Sequence, residues 1–297
     1  MASATSDRPP VDLREPASWR RTRNRIATGL MVLSLILVLI PLGFVLFTVV
    51  AKGASVITWS FLTSSIPPNV LPANSGGIGP AVLGTIEITA LASLMAVPLG
   101  ILGAVYLNEY GGNRTLARLI GFMADVMTGV PSVVMGLFIF SIWVLHFGFS
   151  GLAGAFALGC LMLPIVIRST DEMLKLVPNS LREGSYALGA TKARVTLTVV
   201  LPAALGGIVS GALLAVARAA GETAPLLFTI LTVTTANPNV FSGANTSLPS
   251  QIFVNASSPY VGAQGRGWGA ALTLIAIAFI LMIAARFVTA RFARYTP

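Results

Sequence analysis

The stretch Pro178 to Pro202, PNSLREGSYALGATKARVTLTVVLP, decides the fold because of what flanks it. It carries Arg182, Glu183, Lys192 and Arg194, yet it sits between two apolar runs, Gly151 to Ile167 and Ala203 to about Val233. Working outward, further apolar runs lie at Leu119 to Phe147, Ala81 to Leu107, Ile26 to Val50 and Trp268 to Val288. A hydrocarbon core of ~30 Å takes about 20 apolar residues per spanning helix, so these runs predict about six transmembrane helices. The composition agrees, with 55% hydrophobic and 10% charged residues in 297 and a mean hydropathy of +0.84. The expected fold class is all-α, a polytopic membrane protein. Its expected parts are a basic tail over residues 1–25, a transmembrane domain over 26–291 that includes the 178–202 loop, and a short tail over 292–297. The first apolar run exceeds the ~7–15 residue core of a secretory signal and reads as an uncleaved span.

The net charge of +9 is topological in origin. Arg8, Arg14, Arg20, Arg21, Arg23 and Arg25 precede the first span, and Arg114 and Arg118 follow the second. Lys175, Arg182, Lys192 and Arg194 follow the fourth, and Arg286, Arg291 and Arg294 close the chain. With both termini cytoplasmic, these share one side, leaving Lys52 and Arg266 outside and Arg168 and Arg218 within spans. The basic residues thus orient the chain in membrane lipid and do not indicate nucleic acid. Cys160 alone excludes an intramolecular disulfide, and with the single His146 it excludes a Cys/His zinc cage. No metal site is expected.

Within the inner loop, Ser180 and Glu183 fit a capping box, and Gly189 supplies a helix stop. The predicted helix, Leu181 to Leu188, places Leu181, Gly184, Ser185 and Leu188 on one side, where Gly184 and Ser185 leave a shallow notch. Two turns do not hold themselves together in water. Either a partner docks on this helix or it is a capped loop resting on the bilayer. Gly184 and Gly189 also give the outer frame of a phosphate-binding glycine loop. Thr191 fits the Ser/Thr position of that motif, but Ala190 stands where it needs Lys, so no nucleotide site is expected in this chain.

The loop resembles the EAA loop of ATP-driven importer permeases. Glu183-Gly184-Ser185, then Gly189, then Val199-Val200-Leu201-Pro202 stand at the spacing of Glu-Ala-Ala, Gly and Ile-x-Leu-Pro, with Gly184, Ser185 and Val199 as small or conservative departures. The resemblance implies a type I ABC importer permease fold. It also implies that Ser180, Leu181, Glu183, Gly184, Ser185, Leu188 and Gly189 form a coupling helix seated in an ATP-binding subunit.

In the fifth span, AVARAAGETAPLLFT at Ala215 to Thr229 holds Arg218 and Glu222 four residues apart on one helix face. Ionisable groups in a span are costly unless they pair, meet water or face a pathway. Pro225 removes a donor and crowds the carbonyl of Gly221, so the helix should bend or break there. Irregular backbone at membrane depth is tolerated where it is buried in protein or lines a wet cavity. A guanidinium there can fork onto two oxygens of an anion. Mutual neutralisation of the pair is the simpler reading. Arg168 lies about 25 Å along the fourth span, where it either snorkels to headgroups or serves the route. Asp125 is expected either on the route or paired with a nearby arginine, and Asp171 and Glu172 are expected on a solvated rim beside Lys175.

The run ArgAlaAlaGlyGluThrAlaProLeuLeu, with ThrGlyValProSer at Thr128 to Ser132, is similar to the PstA family of phosphate-importer permeases. That resemblance implies phosphate as substrate and Arg218, Glu222 and Arg168 on its route. It further implies a PstC-like second permease, a PstB-like ATPase dimer and an extracytoplasmic phosphate-binding protein in a bacterial plasma membrane. ATP and Mg would be bound by the ATPase partners, with no catalytic residue and no cofactor in this chain. The rival readings are a permease for sulfate or molybdate, which would keep the loop, and a secondary anion transporter, which would need no ATPase.

Overall fold

A computed structural model describes residues 18–67, 76–112 and 114–292. Among the described residues the chain is helical, with no strand. Helix α1 (Ser18–Ala54) is apolar on every side, with Leu30, Ile36, Phe44 and Phe47 all exposed, as suits a helix whose solvent is lipid or another chain. The part of the chain up to Thr48 forms one unit, and everything from Val49 onward forms a second. Helix α1 already includes residues 18–25 of the expected tail, while residues 1–17 and 293–297 lie outside the described residues.

The second unit continues through α2 (Trp59–Thr63), α3 (Gly79–Gly111), α4 (Thr115–Gly129), α5 (Ser132–Phe147) and α6 (Gly151–Lys175). It then runs through α7 (Asn179–Ala187), α8 (Lys192–Ala220), α9 (Ala224–Thr229), α10 (Leu248–Ala256) and α11 (Val261–Phe292). Five described helices are long and apolar enough to cross a membrane. The sixth run is a broken pair, α4 and α5, which meet at an angle of 108°. The break falls at Pro131 because Val130, which precedes the proline, is pushed into extended backbone (φ −74°, ψ 127°), ending one helix before the next begins.

Small side chains set the packing. Along α3, Ile88, Ala92, Ala96, Gly100 and Ala104 repeat every four residues and are buried. This seam lies against α6, where Ala155, Leu158 and Met162 join Ile88, Ala92 and Ala96 in one cluster with Ala219, Leu226 and Ile230. With lipid as solvent, close backbone approach through small residues is a main source of helix association. Gly84 is the tightest point: a Cβ there would collide with the Thr246 carbonyl oxygen and come within 2.8 Å of Asn245 Oδ1. Neither is the free end of a flexible chain. Gly84→Ala is therefore expected to cost about 1–3 kcal/mol of overpacking and to lower the thermal midpoint of the purified protein by several degrees. Gly159→Ala, whose added methyl would lie 3.9 Å from the Ala92 carbonyl oxygen, is the neutral control.

Among the described residues three π-helical turns lie within or at the end of the long helices, at Tyr106–Gly111, Phe140–Val144 and Thr196–Val200. The last directly precedes Leu201-Pro202 and accommodates a proline that lacks a donor and would clash with the preceding turn. Helix α8 thereby begins at Lys192, eleven residues ahead of the apolar run that signals it. Between α9 and α11 lies α10, whose cap Ser247 accepts from the Ser250 amide while Ser250 Oγ accepts from the Ser247 amide. Helix α11 likewise starts at Val261, ahead of Trp268. That extension buries Arg266, which is only 5% exposed. Its Nε and Nη1 have no hydrogen-bond partner among the described residues. The sequence placed this arginine in an outer loop.

Candidate functional site

The α4–α5 break, the middle of α6 and the end of α8 converge on a cavity of about 350 Å³. Its wall includes Thr128 from α4, Ser132 from α5, Leu161 and Ile165 from α6, and Arg218 with Glu222. Helix α8 ends at Ala220, and the Glu222 amide closes the last turn onto the Ala219 carbonyl at 3.1 Å before α9 begins at Ala224. The break expected at Gly221 and Pro225 is therefore present, and it lies beside the cavity. Gly136 on α5 permits the close approach of α9, since a Cβ there would lie 2.6 Å from the Pro225 Cα.

Arg218 Nε stands 3.6 Å from Glu222 Oε1, an ion pair beyond hydrogen-bond length. The Arg218 side chain is 68% exposed and that of Glu222 19%. The pairing expected from the i, i+4 spacing is thus real but loose, and it leaves guanidinium donors facing the open side. Thr128 and Ser132 add hydroxyls to the same wall. The Thr128 hydroxyl donates to the Asp125 carbonyl at 2.6 Å, so toward the cavity it is an acceptor. Chemically, the arrangement offers a cation, a carboxylate acceptor and the Ser132 hydroxyl around a space large enough for a small anion.

Arg168 follows Leu161 and Ile165 on the same face of α6, one turn toward the helix C-terminus from the cavity. It pairs with Asp125 of α4, and its Nη2 donates to the Gly121 carbonyl at 3.0 Å. Arg168 Nε is buried without a hydrogen-bond partner. This arginine is held by α4. Asp125 is its partner, one of the two alternatives expected from the sequence.

The loop helix α7 departs from its expected start. Pro178 (φ −58°, ψ 138°) occupies the cap, with no side-chain capping bond. Ser180 is therefore inside the first turn, and Glu183 lies too far along to reach back, so the Ser180–Glu183 capping box does not form. The stop is as expected: Gly189 takes φ +79°, and the Ala190 amide reaches back to the Ser185 carbonyl at 3.2 Å. Leu181 is exposed, Leu188 is 89% exposed, Gly184 has nothing within 4 Å of where a Cβ would stand, and Glu183 faces solvent. The notch and its apolar flanks are thus open.

Two residues read as unremarkable take part in a buried network. Asp171, expected on a solvated rim, is buried and bound by Lys175 Nζ at 2.6 Å. Arg182, counted only toward topology, is half-buried and pairs with the buried Glu109. The Asp171–Lys175 pair is local, but Asn108, which also binds Asp171, and Glu109, the partner of Arg182, lie on a helix far away in sequence, out of reach of local spacing. Glu172, by contrast, is exposed as expected.

Residues 96–294 match the family model described as binding-protein-dependent transport system inner membrane component. The phosphate transport system permease protein PstA 1 of Mycobacterium tuberculosis (strain ATCC 25618 / H37Rv) is 43% identical, over 98% of this chain and 97% of its own. The phosphate transport system permease protein PstA of Yersinia pestis is 40% identical, over 94% of each. Among solved structures, a chain of the inward-facing MetNI methionine ABC transporter superposes with a TM-score of 0.57 at 18% identity, covering 72% of this chain and 95% of that one. A chain of a bacterial alginate ABC transporter reaches 0.61 at 13% identity, covering 92% and 97%. These structural likenesses carry the fold, that of a type I ABC importer permease. Together with the near full-length kinship, they establish that the chain belongs to the family of binding-protein-dependent transport system inner membrane components, as a multi-pass permease subunit.

Proposed function

We propose that this chain is the permease subunit of an ATP-driven importer of inorganic phosphate, working beside a PstC-like permease. A PstB-like ATPase dimer would bind ATP and Mg on the cytoplasmic side, and a phosphate-binding protein would deliver substrate from outside. The observation that carries the reading is the 43% identity to a phosphate permease over nearly the whole of both chains. The cavity supports it chemically: Arg218 supplies fixed positive charge on the route, Ser132 supplies a hydroxyl donor, and Arg168, one turn further in, is a second waypoint held by α4. Both termini are assigned to the cytoplasm by the distribution of Lys and Arg. Conduction requires that the anion be met weakly enough to leave, which suits an exposed arginine already shared with a carboxylate better than a closed cage.

The direct test is radiolabelled phosphate uptake at low external phosphate in cells lacking the gene and rescued by it, with sulfate as competitor. Rescue that needs ATP and ignores sulfate is the expected result. Rescue of sulfate or molybdate uptake instead would overturn the substrate assignment. Glu222 gives the finer test. Near neutral pH phosphate carries a P–OH hydrogen that a carboxylate accepts, whereas sulfate has none and meets only repulsion from the same oxygen. Glu222→Gln is therefore expected to let a large excess of sulfate inhibit phosphate uptake several-fold. Inhibition as weak as in the unaltered permease would remove Glu222 from discrimination.

A further inference from the structure

Helix α7 contains no buried residue, so hydrophobic burial does not fasten it to the membrane domain. A helix of nine residues is not stable by itself in water. What holds it is one side chain that points back. Arg182 places Nε at 3.2 Å and Nη2 at 3.0 Å from Glu109 Oε1. Its Nη1 donates to the Val177 carbonyl at 2.5 Å, and its Nη2 donates to the Leu174 carbonyl at 3.0 Å. The two side chains are only 13% and 5% exposed. The guanidinium therefore joins three elements: α7, the frayed end of α6, and the π-helical end of α3 that carries Glu109. Asn108 extends the network, with its Oδ1 3.5 Å from Arg182 Nη2 and its Nδ2 donating to Asp171 Oδ1 at 3.3 Å. Asp171 is in turn bound by Lys175.

The fork geometry matters. An arginine that meets a carboxylate through Nε and Nη2 and two backbone carbonyls through Nη1 and Nη2 fixes distance and orientation together, which a lysine does not. By contrast, the covalent link from α7 to α8 passes through Gly189 and then the π turn at Thr196–Val200, where the helical hydrogen-bond register changes. A displacement of α7 is thus delivered most rigidly to α3 and α6. Those two helices form the small-residue seam, and α6 supplies Leu161, Ile165 and Arg168 on the cavity side.

We propose that Arg182 and Glu109 are positioning residues for coupling: they convert movement of α7 by an ATP-hydrolysing partner into movement of α3 and α6. The proposal rests on the reading of the chain as an ATP-driven permease. In proteoliposomes holding the assembled transporter, Glu109→Gln is expected to leave ATP hydrolysis within about twofold of the unaltered complex while phosphate moved per ATP falls roughly tenfold. Arg182→Lys, which keeps the charge and loses the fork, should fall between. Joint reversal, Glu109→Arg with Arg182→Glu, should recover part of the ratio. A parallel fall of uptake and hydrolysis in all of these, or an unchanged ratio, overturns the proposal.

Hydrogen exchange of the Asn179–Ala187 amides in the assembled complex gives a readout independent of substrate. Exchange should quicken roughly tenfold in Glu109→Gln, and unaltered exchange overturns the clamp. An unaltered complex that hydrolyses ATP without moving phosphate would contradict the phosphate reading instead, leaving the clamp to be judged on exchange alone.

Discussion

Arg218→Gln is expected to reduce phosphate uptake to background, a loss of at least about a hundredfold, while the permease accumulates and assembles normally. A phosphate dianion leaving water for a protein-lined route loses solvation worth several kcal/mol, which a fixed cation at the cavity offsets. Each ~1.4 kcal/mol withdrawn from that offset slows passage about tenfold, so removing the charge suffices for the loss. Gln keeps polarity and much of the length but neither the charge nor the fork. The structure separates this effect from misfolding. The side chain is 68% exposed, and its ion pair with Glu222 spans 3.6 Å, an arrangement that contributes little to stability. Arg218→Lys keeps a charge without the fork and should retain partial uptake. Immunoblotting of membranes beside the uptake assay gives the check. Full uptake by Arg218→Gln would remove Arg218 from the route, and failure to accumulate would assign it to folding.

What the sequence makes legible here follows the length scale of the interaction. Spanning helices announce themselves because each needs about 20 apolar residues in succession, and the six runs all appear as helix. The broken end of the fifth run was also readable, since Gly221 and Pro225 act on their own backbone. Helix starts were less so. Pro178 takes the cap position that Ser180 fits by spacing, because a proline with extended backbone ends the preceding segment whatever hydroxyl follows two residues later. The extension of α11 back to Val261, VGAQGRG, carries little hydropathy signal, whereas that of α8 back to Lys192 includes the apolar Val195 to Leu201, cut off from the run by reading Pro202 as its start.

The candidate site divides in the same way. Arg218 and Glu222 are four residues apart and declare themselves within one helix. Asp125 with Arg168, and Glu109 with Arg182, are joined only when α4 meets α6 and α3 meets α7. A buried charge in one helix gives no sign in its own sequence neighbourhood of where its partner lies. Arg182 looked like one more positive residue on the inner side, and Asp171 like rim solvent contact, because burial is decided by the neighbour and not by the residue.

The open notch on α7 leads to the second large effect. Gly184→Trp is expected to abolish phosphate uptake and to prevent retention of the ATPase subunit during purification, with the permease itself present at its normal level in the membrane. The argument depends on what the indole would touch. A Cβ at residue 184 meets nothing within 4 Å, and the position lies inside a regular helix with no positive φ, so the substitution strains neither packing nor backbone. Replacing glycine in a helix interior favours the helix by up to about 1 kcal/mol. Within this chain the change is therefore harmless or stabilising, and only a second protein that seats itself over Leu181, Gly184 and Leu188 would register the added bulk. Gly184→Ala, a far smaller addition that matches the alanine of the EAA pattern at this position, should retain uptake. If Gly184→Trp retains both uptake and the ATPase, α7 is a solvated loop and the coupling surface lies elsewhere. If Gly184→Trp loses both while Gly184→Ala keeps them, the partner occupies the notch.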